Sequence, residues 1–329
     1  MKLLKLTARE KNLLVVIELQ AGKPLREIQR QTGLAPYTLR YLLKKLSTAG
    51  LLGPKRPIID MNLLGYTHYN FFFSLTSESH RIRQSFLKFL SRSSHVSWMF
   101  ELGGDFQYGV TISVKHVNVM NCFLQEISRK FGNIFFDKLY SQQISYQYFG
   151  RRYLTSQKLV SAPIKLELKE SAELLDRQDA RILEAMANLN YTTLTRLAQE
   201  LGLPLTTLER RKQRLEERGI IAGYFHWIEA QTLGVHPYVI LIYMKGISPD
   251  FKQRLEEFAR KEPHVLYFIE CMGNWDFELG IEVQELKTVT NITQKLYDHF
   301  PGDMRTLKVI PILNYFKVKN YPLERSEAA

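Results

Sequence analysis

Arginine and lysine side chains crowd one stretch of the sequence in a pattern that suits a polyanionic partner. Residues 202–219 have the sequence GLPLTTLERRKQRLEERG. Leu208 and Leu215 are seven positions apart and therefore lie on one face of a helix, two turns apart. Most of the remaining surface is covered by Arg210, Arg211, Lys212, Arg214 and Arg218. Side chains of this kind contact the phosphates and base edges of DNA.

The basic helix follows a shorter amphipathic helix and a glycine-containing turn. Residues 194–201 (LTRLAQEL) form the first helix of this predicted pair, and Gly219 is expected to end the second. Two helices joined by a tight turn, the second of them basic, predict a helix-turn-helix that enters a DNA major groove. This stretch alone leaves open the alternative of an ordinary solvated helix pair.

The same pattern occurs once more near the beginning of the chain. Residues 33–50 (GLAPYTLRYLLKKLSTAG) match residues 202–219 after a shift of 219 − 50 = 169 positions. Identical residues aligned by this shift include Leu39 and Leu208, Leu46 and Leu215, Leu64 and Leu233, Glu101 and Glu270, and Tyr146 and Tyr315. One constant offset without gaps predicts an internal duplication, so the chain is expected to hold two copies of one unit.

The composition is that of a soluble globular protein whose basic charge lies in one half. The chain has 329 residues, a hydrophobic share of 45% and a formal net charge of +12. Residues 1–168 carry 24 Lys and Arg and 10 Asp and Glu, a balance of +14, which leaves −2 for residues 169–329. A basic half indicates a polyanionic partner. There is no apolar run long enough to span a bilayer and no signal peptide, and the two cysteines suit free thiols, so we expect a cytoplasmic protein without a membrane partner.

The third predicted helix of the first copy contains cations and no acid. It is expected over residues 36–49, with Leu39, Leu43 and Leu46 facing inward. Its outward-facing or adjacent polar side chains are Arg40, Tyr41, Lys44 and Lys45. An acid-free helix in this position favours DNA contact. The alternative is that these charges only keep the surface soluble.

After each helix-turn-helix, the periodicity changes to that of strands and helices in the order βαββαβ. In the first copy, a linker with some extended character is predicted over residues 57–65, strands are predicted over 96–102 and 108–114, and a polar linker is predicted over 150–170. This order is the split βαβ arrangement of ferredoxin-like domains, whose sheet carries helices on one face and leaves the other for a partner. The predicted fold class is therefore α+β, with two copies of a winged-type helix-turn-helix plus a ferredoxin-like βαββαβ domain. The predicted helix-turn-helix domains are 1–56 and 172–224, and the predicted ferredoxin-like domains are 66–152 and 235–320.

This combination resembles the Lrp/AsnC family, the feast/famine regulators of transcription. The second copy carries the resemblance most clearly between Leu174 and Val235, with Leu-Asp-x-x-Asp at its start, Arg211 in the third helix and Gly-Ile-Ile-x-Gly-Tyr after it. The turn Gly273-Asn274-Trp275-Asp276 is similar to the Gly-x-x-Asp of the family's ligand-sensing domain. The likeness covers nearly the whole chain, twice.

The resemblance implies DNA binding by the third helix, dimerisation through the βαββαβ sheets, and often a small effector near the Gly-x-x-Asp turn. The DNA-contacting residues are then expected to be Thr38, Arg40, Tyr41, Lys44, Lys45, Thr207, Arg210, Arg211 and Arg214. The effector-binding residues are expected to be Gly104, Gly273, Asn274 and Asp276. The expected partners are double-stranded DNA, an amino-acid effector, and further copies of the chain in a homo-oligomer. No catalytic residue, metal or cofactor is predicted.

The two copies depart from the family pattern in different ways. In the first copy, Leu42 stands where the second has Arg211, and Gln107 stands where the second has Asp276. The basic helix of the second copy also contains the acids Glu209, Glu216 and Glu217. We therefore hypothesise that the first copy binds DNA more tightly and that the second holds any effector.

Two other functions fit this architecture. Sirohaem decarboxylases share it, with a His-Asn-Tyr run in the second strand, where this chain has residues 98–100 (WMF) and 267–269 (YFI). His95 and His264 stand earlier, at the strand starts, and a Soret-region absorption band would favour that enzyme. The other alternative is a partner module that titrates other regulators without binding DNA. The sequence has no nucleotide-binding, hydrolase or metal-spaced Cys/His motif.

Overall fold

The computed structural model describes residues 4–76, 79–156, 162–188, 193–246, 250–319 and 321, and it has a mixed α+β fold. The helices are α1 (Ala8–Gln20), α2 (Leu25–Thr32), α3 (Pro36–Thr48), α4 (His80–Arg92), α5 (Val117–Phe131), α6 (Arg177–Asn188), α7 (Leu194–Leu201), α8 (Leu205–Glu217), α9 (Phe251–Lys261) and α10 (Leu286–His299). The strands are β1 (Leu52–Ile59), β2 (Thr67–Leu75), β3 (Val96–Leu102), β4 (Tyr108–Val114), β5 (Phe135–Tyr148), β6 (Ile164–Glu167), β7 (Ile221–Ile228), β8 (His236–Met244), β9 (Val265–Gly273), β10 (Phe277–Val283) and β11 (Met304–Val318).

Eight strands close into a ring, in the order β2-β4-β3-β11-β8-β10-β9-β5, with β5 hydrogen-bonded back to β2. Each half of the ring follows the predicted order βαββαβ, from β2 to β5 and from β8 to β11. The sequence predicted two βαββαβ sheets, each with an open face that needs a partner, and the structure joins the two sheets edge to edge. The physical reason is that β5 and β11 are 14 and 15 residues long, so each pairs with its own half and then with the other half.

The two junctions between the halves have equivalent registers. Tyr146 lies opposite Ile269 on β9, and Tyr315 lies opposite Phe100 on β3. The two pairs are related by the offset of the sequence repeat, since 315 − 146 = 169 and 269 − 100 = 169. The halves of the ring are therefore related by an approximate two-fold rotation within one chain.

A second, two-stranded sheet links the two helix-turn-helix units. The sequence predicted a linker with some extended character over residues 57–65. In the structure, β1 runs from Leu52 to Ile59, includes the start of that linker and pairs antiparallel with β7. Arg56 lies opposite Phe225, and these two residues are themselves related by the repeat, since 225 − 56 = 169. An antiparallel pair centred on equivalent residues is the arrangement that a two-fold axis produces.

Each helix-turn-helix packs on a connecting segment from the other half of the chain. The apolar core of α1–α3 includes Leu233 and Val235, which precede β8. The core of α6–α8 includes Met61 and Leu64, which precede β2. Because each core is completed by the other half, the two units hold fixed positions relative to each other and to the ring.

A buried ionic cluster attaches the first helix-turn-helix to the ring. Arg151 donates two hydrogen bonds of 2.8 Å to Glu282 on β10 and another to Glu18 on α1, and all three side chains are buried. Tyr148 donates to Glu18 at 2.8 Å, and Tyr153 donates to Glu282 at 2.6 Å. The sequence suggested only a polar linker over residues 150–170, so this role of Arg151 is a correction.

The inner face of the ring holds an aromatic core and the buried carboxyl group of Glu278. Side chains of β2 alternate between the helix-covered face and the inner face, where Phe72 stacks on Trp275 with ring centroids 5.1 Å apart. Glu278 accepts hydrogen bonds from Asn70 Nδ2 at 2.7 Å and from Tyr267 Oη at 3.1 Å. Burial raises the pKa of Glu278 to about 7, although these hydrogen bonds oppose the shift.

Candidate nucleic-acid interface

The first helix-turn-helix begins with a capping box and turns at a glycine. Thr7 Oγ1 accepts from Glu10 N, and the Glu10 carboxylate accepts in return from Thr7 N at 2.8 Å. Gly33 ends α2 with φ of +66°, the left-handed conformation that glycine adopts without strain. On α3, the buried side chains are Leu39, Leu42 and Leu46, with Leu43 only partly buried. The sequence had assigned Leu43 to the core in place of Leu42.

This register leaves one aromatic and cationic face of α3 exposed. The face consists of Tyr37, Arg40, Tyr41 and Lys44, with Tyr37 82% exposed and Tyr41 56% exposed. Within the described residues, the side chains of Arg40 and Lys44 make no hydrogen bond or ion pair. Thr38 is half-buried beside them. Tyr37 was not among the residues predicted to contact DNA, although the spacing 37, 40, 41, 44 is that of one helical face.

Lys45 points instead toward its own domain. Its Nζ lies 2.6 Å from Glu10 Oε1, and the Glu10 side chain is buried. Burial alone would raise the pKa of Glu10, but hydrogen bonds from Lys45 and Thr7 bring it below its ordinary value. The hydrogen bond to Glu10 in turn raises the pKa of Lys45. Lys45 therefore joins α3 to α1.

The second helix-turn-helix repeats this connection with arginines. Arg214 and Arg211 both bind Asp179, which is fully buried, and Arg211 Nη1 also lies 2.6 Å from Asp176 Oδ2. Hydrogen bonding to Arg211 lowers the pKa of Asp176 to about 2. The repeat offset relates Arg214 and Asp179 to Lys45 and Glu10. Both domains thus use a cation at this position to hold α1 or α6 against the third helix.

The exposed face of α8 differs from that of α3. Arg210 is exposed, and Thr207 is half-buried, as is its counterpart Thr38. The same face carries Glu209 and Glu217, both exposed. Acidic side chains on this face oppose close approach to phosphates, so the two helices present different chemistry to a duplex.

The turn predicted to bind an effector packs against β5 of the other half of the ring. Asn274 N donates to Tyr140 O at 3.2 Å, and Trp275 N donates to Ser141 Oγ at 3.0 Å. Gly273 has φ of +148°, and a Cβ added there would lie 2.8 Å from Tyr140 O. A glycine is therefore required where this turn approaches the neighbouring backbone.

Asp276 holds the end of a neighbouring strand. Its Oδ2 accepts from Met244 N at 2.7 Å, at the end of β8. At the equivalent position of the first half, Gln107 Oε1 accepts from Leu75 N at 3.2 Å, at the end of β2. The residue pairs 107/276 and 75/244 are both separated by 169 positions, so the acid and the amide have the same role in the two halves.

Gly104 does not lie with the other predicted effector residues. It belongs to the β3–β4 turn, at the junction with β11, whereas Gly273 lies at the junction with β5. Gly104 has φ of +85°. Next to it, Asp105 Oδ2 lies 2.8 Å from Lys308 Nζ on β11. The structure thus brings Gly273, Asn274 and Asp276 together and places Gly104 apart from them.

Comparison with known proteins identifies the family. Residues 175–222 match the family of winged helix-turn-helix DNA-binding domains. The Bkd operon transcriptional regulator of Pseudomonas aeruginosa is 34% identical over 129 residues, which are 39% of this chain and 84% of that protein. The chain belongs to the Lrp/AsnC family. The transcriptional activator DecR of Escherichia coli is 25% identical over 130 residues, or 39% of this chain and 86% of DecR.

A solved structure extends the likeness beyond one Lrp/AsnC unit. The sirohaem decarboxylase NirDL, in complex with an iron-uroporphyrin III analogue, aligns with 94% of this chain and 90% of its own, with a TM-score of 0.60. The sequence identity is 13%, so the likeness is one of fold. The paired arrangement of two helix-turn-helix units on one ring of strands is therefore shared by another protein.

The residues that were compared with those of a tetrapyrrole enzyme are buried, or they contact other side chains of this Lrp/AsnC chain. At the central positions of the two runs, Met99 and Phe268 are buried apolar side chains. His264 Nδ1 lies 2.9 Å from Glu262 Oε1, and its ring stacks on Tyr153. His95 packs edge-on against Phe123. The part of the chain that the structure describes contains no group of three metal-binding side chains and no helix suited to cross a membrane.

Proposed function

We propose that this protein is a sequence-specific DNA-binding regulator of transcription in which two Lrp/AsnC units, joined in one chain, act as a dimer does. The observation that carries the proposal is the exposed face of α3, which holds Arg40 and Lys44 together with two tyrosines and contains no acid. The equivalent registers at both ring junctions support the duplication on which the dimer-like arrangement depends. The four domain ranges stay predictions.

The two helix-turn-helix units are proposed to contribute unequally to DNA binding. Among the predicted DNA-contacting residues, the exposed side chains without a carboxylate partner in the described part of the chain are Arg40, Tyr41 and Lys44 of the first unit and Arg210 of the second. Lys45, Arg211 and Arg214 have carboxylate partners inside their own domains, which supports a role in fixing the third helix. Thr38 and Thr207 are proposed to contact the duplex from the edge of this face.

An amino-acid effector and a homo-oligomer stay predictions. The backbone N–H groups of Asn274 and Trp275 already donate to β5, and Asp276 already accepts from Met244 N. An effector at this turn would therefore have to compete with these hydrogen bonds. Such competition would couple binding to the junction between the halves of the ring.

Catalysis on a tetrapyrrole is the second candidate, and the fold likeness to NirDL favours it. The residues at these positions weigh against it, because neither 98–100 (WMF) nor 267–269 (YFI) contains the histidine or the asparagine of the His-Asn-Tyr run. An absorption spectrum of the purified protein, with and without added iron-porphyrin, separates the two candidates. A bound Soret band together with no DNA affinity would replace the regulator proposal.

Fluorescence-anisotropy titrations against a pooled duplex library, at several salt concentrations, test the regulator proposal. We compare the wild type with Arg40→Ala/Lys44→Ala and with the matched control Lys88→Ala/Arg92→Ala, which removes two exposed cations from α4 on the ring. If Arg40 and Lys44 both contact phosphates, the slope of log affinity against log salt should fall by about 2, since each contact contributes roughly 0.9. The control should bind DNA with the affinity and the salt dependence of the wild type. Unchanged affinity in the α3 variant would contradict the proposal.

A further inference from the structure

We infer that the DNA site of this protein is asymmetric, with two unlike half-sites read in one fixed orientation. The inference rests on the proposed function and adds the class of site that the chain recognises. It starts from the third helices of the two units, α3 and α8, which the repeat offset aligns residue by residue.

The buried side chains that pack in the core of each domain are the same in these two helices. Leu39 and Leu208 are both fully buried, and so are Leu46 and Leu215. The side chains on the outward faces differ. The differing pairs are Tyr37 and Thr206, Arg40 and Glu209, Tyr41 and Arg210, and Lys44 and Gln213. The backbone framework is therefore repeated, while the surface that faces a duplex is not.

The approximate two-fold axis places both helices in equivalent positions. It passes through the pair Arg56 and Phe225 between β1 and β7 and relates the two junctions of the ring. In a homodimer, such an axis makes the DNA site an inverted repeat, because identical helices read both half-sites. Here the axis relates the backbones of α3 and α8, but the exposed side chains that would contact the bases differ. An inverted repeat is therefore not expected to be the DNA site with the highest affinity.

The chemistry of the two faces indicates what each half-site contains. On α3, two exposed tyrosine rings suit apolar contact with thymine methyl groups, and Arg40 and Lys44 suit guanine edges or phosphates. On α8, Glu209 can accept from the amino group of a cytosine, and Arg210 can donate to a guanine. The first half-site is therefore expected to be richer in thymine, and the second is expected to contain a C·G pair.

Selection of bound duplexes from a random library tests the inference. The wild type is compared with a variant that carries the α3 face on both helices: Thr206→Tyr, Glu209→Arg, Arg210→Tyr and Gln213→Lys. All four positions are exposed, so the substitutions leave the buried leucines in place, and an unchanged urea midpoint checks that the variant folds. The wild type should select two unlike half-sites, and the variant should select an inverted repeat of the first.

Competition between defined duplexes gives the magnitude. If the second half-site is replaced by an inverted copy of the first, wild-type affinity should fall by about 5- to 150-fold for each base pair that α8 no longer recognises. The variant that carries the α3 face on both helices should show the opposite preference. An inverted repeat selected by the wild type, or the same motif selected by both proteins, would overturn the inference while leaving DNA binding intact. No enrichment by the wild type would instead overturn the proposed function, and the inference with it.

Discussion

Removing the cation from the buried ionic cluster should be among the most destabilising single changes in this protein. In Arg151→Met, the carboxylates of Glu18 and Glu282 would stay buried, with side chains 1% and 5% exposed and without their shared cation. Removing one partner of a buried ion pair lowers the free energy of unfolding by about 3–5 kcal/mol, because the remaining buried charge has no counter-charge. The expected loss in free energy of unfolding near pH 8 is of this size.

The pH dependence distinguishes this cause from a loss of packing. Without Arg151, the charged forms of two buried carboxyl groups have no counter-charge, and burial then favours their neutral forms in the folded state. Protonation would relieve this cost, so the deficit relative to the wild type should shrink as the pH falls. Arg152→Met is a matched control, because Arg152 donates to backbone carbonyls, including those of Ala259 and Val265. Its deficit should vary less with pH.

A triple variant tests the same reasoning from the other side. The repeat offset relates Glu18, Arg151 and Glu282 to Ala187, Asn320 and Ser113. Glu18→Ala/Arg151→Asn/Glu282→Ser therefore removes both carboxylates together with the cation. Urea unfolding followed by tryptophan fluorescence should place this variant between Arg151→Met and the wild type. Equal midpoints for Arg151→Met and the wild type, or a triple variant less stable than Arg151→Met, would refute the account.

Three further changes have defined outcomes. Glu278→Gln should flatten the pH dependence of stability: the wild type, with a folded pKa of about 7, should lose about 3 kcal/mol as pH rises from 4.5 past 7, as urea midpoints at pH 5 and 8 can show. Asp276→Ala should destabilise the protein by about 1–3 kcal/mol, because Met244 N is left without its acceptor, and Asp276→Gln should restore part of the stability. Lys45→Gln should raise the pKa of Glu10 in an NMR titration. Burial raises this pKa, and the variant lacks the ammonium group whose hydrogen bond lowers it. An unchanged value would show that Lys45 is not the partner that counts.

The local elements of the fold could be predicted because their sequence periods are regular. Residues 96–102 and 108–114 were predicted as the strands β3 and β4 with the bounds that the structure has. β1 could not be predicted in this way, because Gly53, Pro54 and Pro57 disfavour a strand when only local sequence is considered. It forms because β7, far along the chain, pairs with it.

The roles of individual cations were harder to predict than the helices that carry them. Lys45 and Arg214 were assigned to DNA because they follow the exposed face of a basic helix. Their partners Glu10 and Asp179 lie 35 residues earlier in the chain, so no local pattern shows the contact. The repeat itself contained a signal, since the offset of 169 aligns one cation with the other and one acid with the other.

In the proposed arrangement, two Lrp/AsnC units are joined in one chain, which allows differences that a homodimer forbids. In a homodimer, every substitution appears on both sides of the axis, so a cluster such as Glu18, Arg151 and Glu282 would occur twice. Here it occurs beside the first helix-turn-helix, and the positions that the repeat offset relates to it have two small side chains and an asparagine. The same freedom applies to the exposed faces of α3 and α8. The apolar contacts and strand registers keep the approximate symmetry, while the charged and exposed residues have diverged within it.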